Sequence, residues 1–181
     1  MSKGIIVQKY GGTSVTDIGR IESVAKRVVN TRRAGYEVVV IVSALGHTTD
    51  KLIDLALKIT TNPPARELDM LLSTGEQMSS ALLAMAIHKL GSDAISFTGA
   101  QVGIITDGSF TKARIIDINA KRIEEELKKG KIVIVAGFQG VSANQDITTL
   151  GRGGSNLTAV ALAKVLNAKI CEMYTDVEGV F

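Results

Sequence analysis

Lys9 stands just before the pair Gly11-Gly12 and just after a short run of β-branched residues. Paired glycines let a backbone approach phosphate oxygens, and an adjacent ammonium neutralises charge on a transferring phosphoryl group. The same residues also suit a tight turn with a surface lysine. The order differs from the Walker pattern, because here the lysine precedes the glycines. A second polar segment, 43–50, places Ser43, Gly46, His47, Thr48, Thr49 and Asp50 after another β-branched run. It can bind an anion, or cap a helix from Lys51 through Thr49 or Asp50. His47 reads as a solvated loop residue. A third group, Ser73-Thr74-Gly75-Glu76, falls inside a long helical pattern. Glycine there costs about 1 kcal/mol, which signals close approach or an interruption. Spacing favours a solvated Glu76 over an inward one. The fourth group, Gly151-Arg152-Gly153-Gly154-Ser155, opens a helix over 156–166 with Ser155 as its cap. Exposed N–H groups, a helix N-terminus and a guanidinium fork together describe a carboxylate or phosphate site. The four groups imply two anions brought face to face.

The elements that must position them follow from periodicity. Near-continuous apolar runs at 5–7, 38–42, 94–97, 132–136 and 170–174 read as parallel strands covered on both faces. Helical stripes run over 18–33, 51–59, 67–90, 120–129 and 155–166, three of them stopped by Gly35, Gly91 and Gly130. Residues 104–118 and 147–150 read as hairpin or edge strands, and Asn62-Pro63-Pro64 as a rigid turn. The alternation predicts α/β architecture, a mostly parallel sheet between two helical layers. One domain is expected over 1–181, incomplete at its C-terminal end, because the last strand is followed by a loop and no closing helix.

Composition narrows the function classes. Lys+Arg exceed Asp+Glu by 21 to 18, and aromatics are 4% with no Trp. So small a surplus and so few rings do not describe a nucleic-acid binder. No apolar run reaches the roughly 18 residues of a membrane span. A single cysteine, Cys171, excludes an internal disulfide and fits the cytoplasm. No Cys/His cluster suggests a protein-held metal, and no Ser/His/Asp set suggests acyl-enzyme chemistry.

The stretches VQKYGGTSV (7–15), VVVIVSALGHTTDKL (38–52), LDMLLSTGEQ (68–77), SFTGAQVGI (96–104), KARI (112–115), IVAGFQGV (134–141), TTLGRGGS (148–155) and YTDVEGVF (174–181) closely resemble the aspartate kinase branch of the amino acid kinase family. The resemblance spans practically the whole chain, in family order. It implies a three-layer αβα sandwich of the carbamate kinase-like type. The implied reaction is ATP-dependent phosphorylation of the side-chain carboxylate of L-aspartate, the entry step to lysine, threonine and methionine synthesis. In that reading Lys9 is catalytic and bridges the ATP phosphates. Gly11, Gly12 and Ser43 line the phosphate path, and Thr175 and Asp176 begin the base-and-ribose pocket. Thr49, Glu76, Arg152, Gly153, Gly154, Ser155 and Asn156 hold aspartate. ATP would arrive with Mg²⁺ on its phosphates, and a homo-oligomer is expected.

Two departures accompany the resemblance. Where the family reads Gly-Gly-Ser-Asp-x-Thr-Ala, this chain has Asn156 in place of the aspartate. Family members also continue beyond this length, through the rest of the nucleotide pocket into paired ACT domains. A non-catalytic ATP- or amino-acid-binding paralogue or fragment is therefore the alternative. A kinase for another acid (glutamate, acetylglutamate, carbamate or uridylate) is a further one, disfavoured by SFTGAQVGI and TTLGRGGS.

Overall fold

The computed structural model describes residues 2–175. Five strands form the central sheet: β1 (Ile5–Tyr10), β2 (Glu37–Val42), β3 (Ala94–Phe97), β6 (Ile132–Ala136) and β9 (Ile170–Tyr174), in the order β3-β6-β2-β1-β9. All their pairings are parallel. Val38 to Val42 and Ile132 to Ala136 are wholly buried, as unbroken apolar runs require when both faces are covered. Helices α1 (Ile18–Arg33) and α3 (Ala65–Lys89) cover one face, around Val28, Val40, Leu83 and Ile134. Helices α4 (Lys121–Lys128) and α5 (Gly154–Val165) cover the other, around Val39, Ile123, Val133 and Leu162. The three-layer αβα sandwich expected from the sequence is the observed one.

A second sheet has the order β5-β4-β7-β8, built from β4 (Ile104–Thr106), β5 (Ile115–Ile118), β7 (Gln139–Ser142) and β8 (Ile147–Thr149). β4 and β5 are antiparallel, as the sequence suggests for 104–118, but β4 also pairs in parallel with β7. Strand β7 carries the sequence QGVS, which has no apolar signature, and it was not legible.

Local chemistry sets the helix bounds. The Asp17 side chain accepts the Arg20 N–H at 2.9 Å and caps α1. Helix α2 (Thr48–Ile59) begins at Thr48, after His47. Thr49 and Asp50 therefore sit in its first turn and do not cap it, a correction to the sequence reading. Helix α3 runs unbroken for 25 residues, about 37 Å, from β8 to β3 and β6. Gly75 does not interrupt it: a Cβ there would lie 2.9 Å from the Ala44 Cβ, so the glycine serves close approach. Among the described residues no helix is long and apolar enough to cross a membrane.

Candidate functional site

The chain moves one way from β1 to β2, with α1 on one face of the sheet. It moves the other way from β6 to β9, with α5 on the opposite face. Connections that diverge like this open a crevice beyond the carboxyl ends of the strands. Lys9 lies there, in register with Ile41 on β2 and Met173 on β9. Ser43 follows β2 directly, and its N–H bonds the Tyr10 carbonyl at 3.1 Å, tying the two strand ends together.

A cavity of about 540 Å³ occupies the crevice. Of the residues singled out in the sequence, it brings together Lys9, Gly12, Ser43, Thr49, Glu76, Arg152, Gly153, Gly154, Ser155 and Asn156. Gly11 is not among its lining residues, although a Cβ there would lie 3.4 Å from the Lys9 Nζ. Thr175 lies apart, in a smaller cavity of about 180 Å³ with Tyr10, Ser14, Arg27 and Tyr174. Asp176 lies outside the described residues.

The walls come from distant parts of the chain. Lys9 is partly buried and makes no ion pair among the described residues, and burial lowers its pKa. Opposite in sequence, Gly151 to Asn156 wrap the N-terminus of α5. That helix starts at Gly154, with Gly153 before it at φ 75° and open space where a Cβ would be. Ser155 is thus within the first turn and is not the cap expected for it. The N–H groups of Gly154, Asn156 and Leu157 are taken by the Gly151 and Gly153 carbonyls. It is therefore the positive end of the helix dipole and the Arg152 guanidinium that present positive potential to the cavity.

Glu76 overturns the solvated reading. It is 3% exposed, on the face of α3 that packs toward the Ser43–Gly46 loop. Its Oε1 accepts the Ala44 N–H at 3.2 Å, while its Oε2 has no hydrogen-bond partner among the described residues. Burial pushes its pKa from 4.5 up to about 7, opposed by the Ala44 hydrogen bond. A signal was present: Ser73, Gly75, Ser79 and Ser80 surround Glu76 on α3, and all are buried. So dense a set of small residues marks a helix face pressed close to its neighbour.

The sign of the resulting pH effect is fixed. With its native pKa raised, Glu76 holds a proton in the folded protein that the unfolded chain has released. Stability therefore falls as pH rises from about 4.5 through 7, by at most on the order of 3 kcal/mol. Glu76→Gln should flatten that part of the curve in urea titrations without ligand. Parallel curves for the two proteins would show that the carboxyl is ionised throughout.

Sequence reasoning missed Thr111 and Phe138, which also line the cavity. Both have positive φ, 67° and 70°, an unusual conformation for residues of their size. The Phe138 N–H donates to Thr158 Oγ1 at 3.2 Å, and its carbonyl accepts the Leu150 N–H at 2.8 Å. Neither residue type carries any sign of this in sequence.

Comparison with known proteins bears on what such a cavity takes. The amino acid kinase family matches residues 4–181. The aspartokinase of Mycolicibacterium smegmatis is 57% identical over 178 residues, covering 98% of this chain and 42% of the relative. The chain thus spans about two fifths of the length of that curated relative. The aspartate kinase from Synechocystis superposes with a TM-score of 0.85 at 51% identity, covering 97% of this chain and 28% of that one. Aspartokinase III of E. coli, solved with aspartate and ADP, gives 0.84 at 27% identity, covering 97% and 50%.

Proposed function

Because the chain belongs to the amino acid kinase family, we propose that its cavity binds L-aspartate against the γ-phosphate of ATP and transfers that phosphoryl group to the side-chain carboxylate. The observation that carries this reading is the convergence of Lys9, Glu76 and the Arg152 loop on one cavity. The aspartokinase relatives name the acid.

Each role follows from the chemistry of the side chain. Arg152 forks onto a carboxylate of aspartate, assisted by the positive end of the α5 dipole. The free Oε2 of Glu76 receives the substrate ammonium, whose charge draws the carboxyl back to its ionised form. Thr49, Ser155 and Asn156 complete the acid's surroundings, and Gly12 and Ser43 flank the phosphates from the cavity wall, with Gly11 beside Lys9. Lys9 meets the charge that spreads over the transferring phosphoryl oxygens. The attacking carboxylate is already ionised near pH 7, so no general base is required. Mg²⁺ would enter on the ATP phosphates. Thr175 and Asp176 would begin the nucleotide wall. The same reading carries a cytoplasmic homo-oligomer.

The test is aspartate-dependent ADP release by the full-length protein, with the acyl phosphate trapped by hydroxylamine as the hydroxamate. ADP without aspartate dependence, or no hydroxamate, would sink the reading. Asn156 gives the binding-only alternative its one specific support. It lines the cavity from the first turn of α5 as an exposed, neutral residue. An aspartate there would attract the substrate ammonium but repel the carboxylate beside Arg152. Because the position is exposed, screening keeps the net gain below about 1 kcal/mol. Asn156→Asp should therefore lower the aspartate KM by about threefold and leave the ATP KM unchanged. An unchanged or higher aspartate KM would show that this position does not read the amino group.

A further inference from the structure

Asp69 precedes Glu76 by seven residues on α3, two turns away on the same face. It is wholly buried and makes no ion pair among the described residues. A buried carboxylate without a cation is costly unless donors surround it. Here they do. One oxygen, Oδ2, accepts the Thr111 N–H at 2.9 Å and the Thr149 N–H at 2.8 Å. The other, Oδ1, accepts the Thr149 hydroxyl at 2.6 Å.

These donors belong to two segments that line the same cavity as Glu76, one through Thr111 and the other from Gly151 onward. Thr111 lines the cavity in a left-handed conformation that its neighbours must hold in place. Thr149 ends β8, two residues before Gly151 and three before Arg152. The two segments also brace each other. The Thr149 carbonyl accepts the Ala113 N–H at 2.8 Å, and a Cβ on Gly151 would lie 3.3 Å from the Thr111 carbonyl.

We propose that Asp69 is a positioning residue: it clamps the Thr111 segment and the Arg152 loop to the helix that carries Glu76, and so sets the span that an amino acid must bridge. The proposal rests on the reading that the cavity takes aspartate. Asp69 touches no substrate. It acts through Thr149 and Thr111, so its loss should degrade recognition of the acid rather than of the nucleotide.

Three variants of the full-length protein separate positioning from general stability. Asp69→Asn can keep the geometry, its carbonyl oxygen accepting both N–H groups and its amide donating to Thr149 Oγ1. It should hold the aspartate KM within about threefold of the parent. Asp69→Ala strands both N–H groups. It should raise the aspartate KM about tenfold or more, with kcat and the ATP KM little changed. Its amide hydrogens at 109–113 and 149–153 should exchange faster while those of β1, β2 and β6 keep their protection. Equal loss in all kinetic constants, faster exchange throughout the molecule, or an asparagine variant as impaired as the alanine one would each overturn the proposal. If Asp69→Ala does not fold, Thr149→Val decides. It removes one of the three bonds and should raise exchange in the same two segments, and unchanged exchange overturns the clamp. A parent protein that ignores aspartate refutes the functional reading instead, and local exchange still judges the clamp.

Discussion

Lys9→Met is expected to lower kcat for aspartate-dependent phosphoryl transfer by about a hundredfold to a thousandfold, while the melting temperature changes little. The size follows from removing a fixed cation aimed at developing charge, worth about 3–4 kcal/mol in comparable sites. Thermal indifference follows from the structure. Lys9 has no ion partner among the described residues, and its burial opposes the charged form, so the ammonium contributes no stability that methionine would forfeit. Methionine keeps the apolar stem packed. The KM values for ATP and aspartate should move by only a few-fold, since the cation matters most where charge develops. A variant with near-native kcat would remove Lys9 from the reaction.

Arg152→Ala should act differently, raising the aspartate KM by about ten- to a hundredfold. Hydrogen bonds to a charged partner are worth about 1.5–3 kcal/mol each. Arg152→Lys should recover little, because a point charge on a flexible stem cannot reproduce the planar fork. The ATP KM should stay within about threefold in both variants. Equal losses for the two ligands would place Arg152 on the phosphates. The two substitutions thus partition the cavity, one acting on turnover and the other on recognition of the acid.

The layers of this fold were readable because burial on both faces leaves an unmistakable run of apolar residues. Val38 to Val42 and Ile132 to Ala136 admit no other role in a chain of this composition. Helix α1 was readable to the residue, from its stripe of Ile21, Val24, Ala25, Val28 and Val29 and from Gly35 just past its end, whereas its Asp17 cap was not singled out. The glycine-rich segments were readable because glycine reports backbone requirements directly. What failed was the sidedness of polar residues on α3. A lone glutamate in an amphipathic helix is usually solvated, and only the three-dimensional position of the Ser43–Gly46 loop decides otherwise for Glu76. Asp69 was invisible for a related reason. Two of its three donors are backbone N–H groups about 40 and 80 residues away, and backbone leaves no trace in side-chain pattern. Strand β7 was lost because its neighbours on both sides, not its own residues, make it a strand.

The strand order has a consequence in time. β1 is synthesised first, yet one of its edges stays open until β9 arrives, and the bond from Gln8 to Glu172 joins residues 164 apart. At ribosomal speeds of about 5–20 residues per second, that interval lasts roughly 8–30 seconds. Contacts so distant in sequence also make closure intrinsically slow. Throughout the wait, a nascent strand of six residues, four of them destined to be buried, offers unpaired backbone to any passing chain. Chaperone dependence and aggregation during expression should therefore concentrate on this edge. The strand that carries Lys9 is begun first and completed among the last.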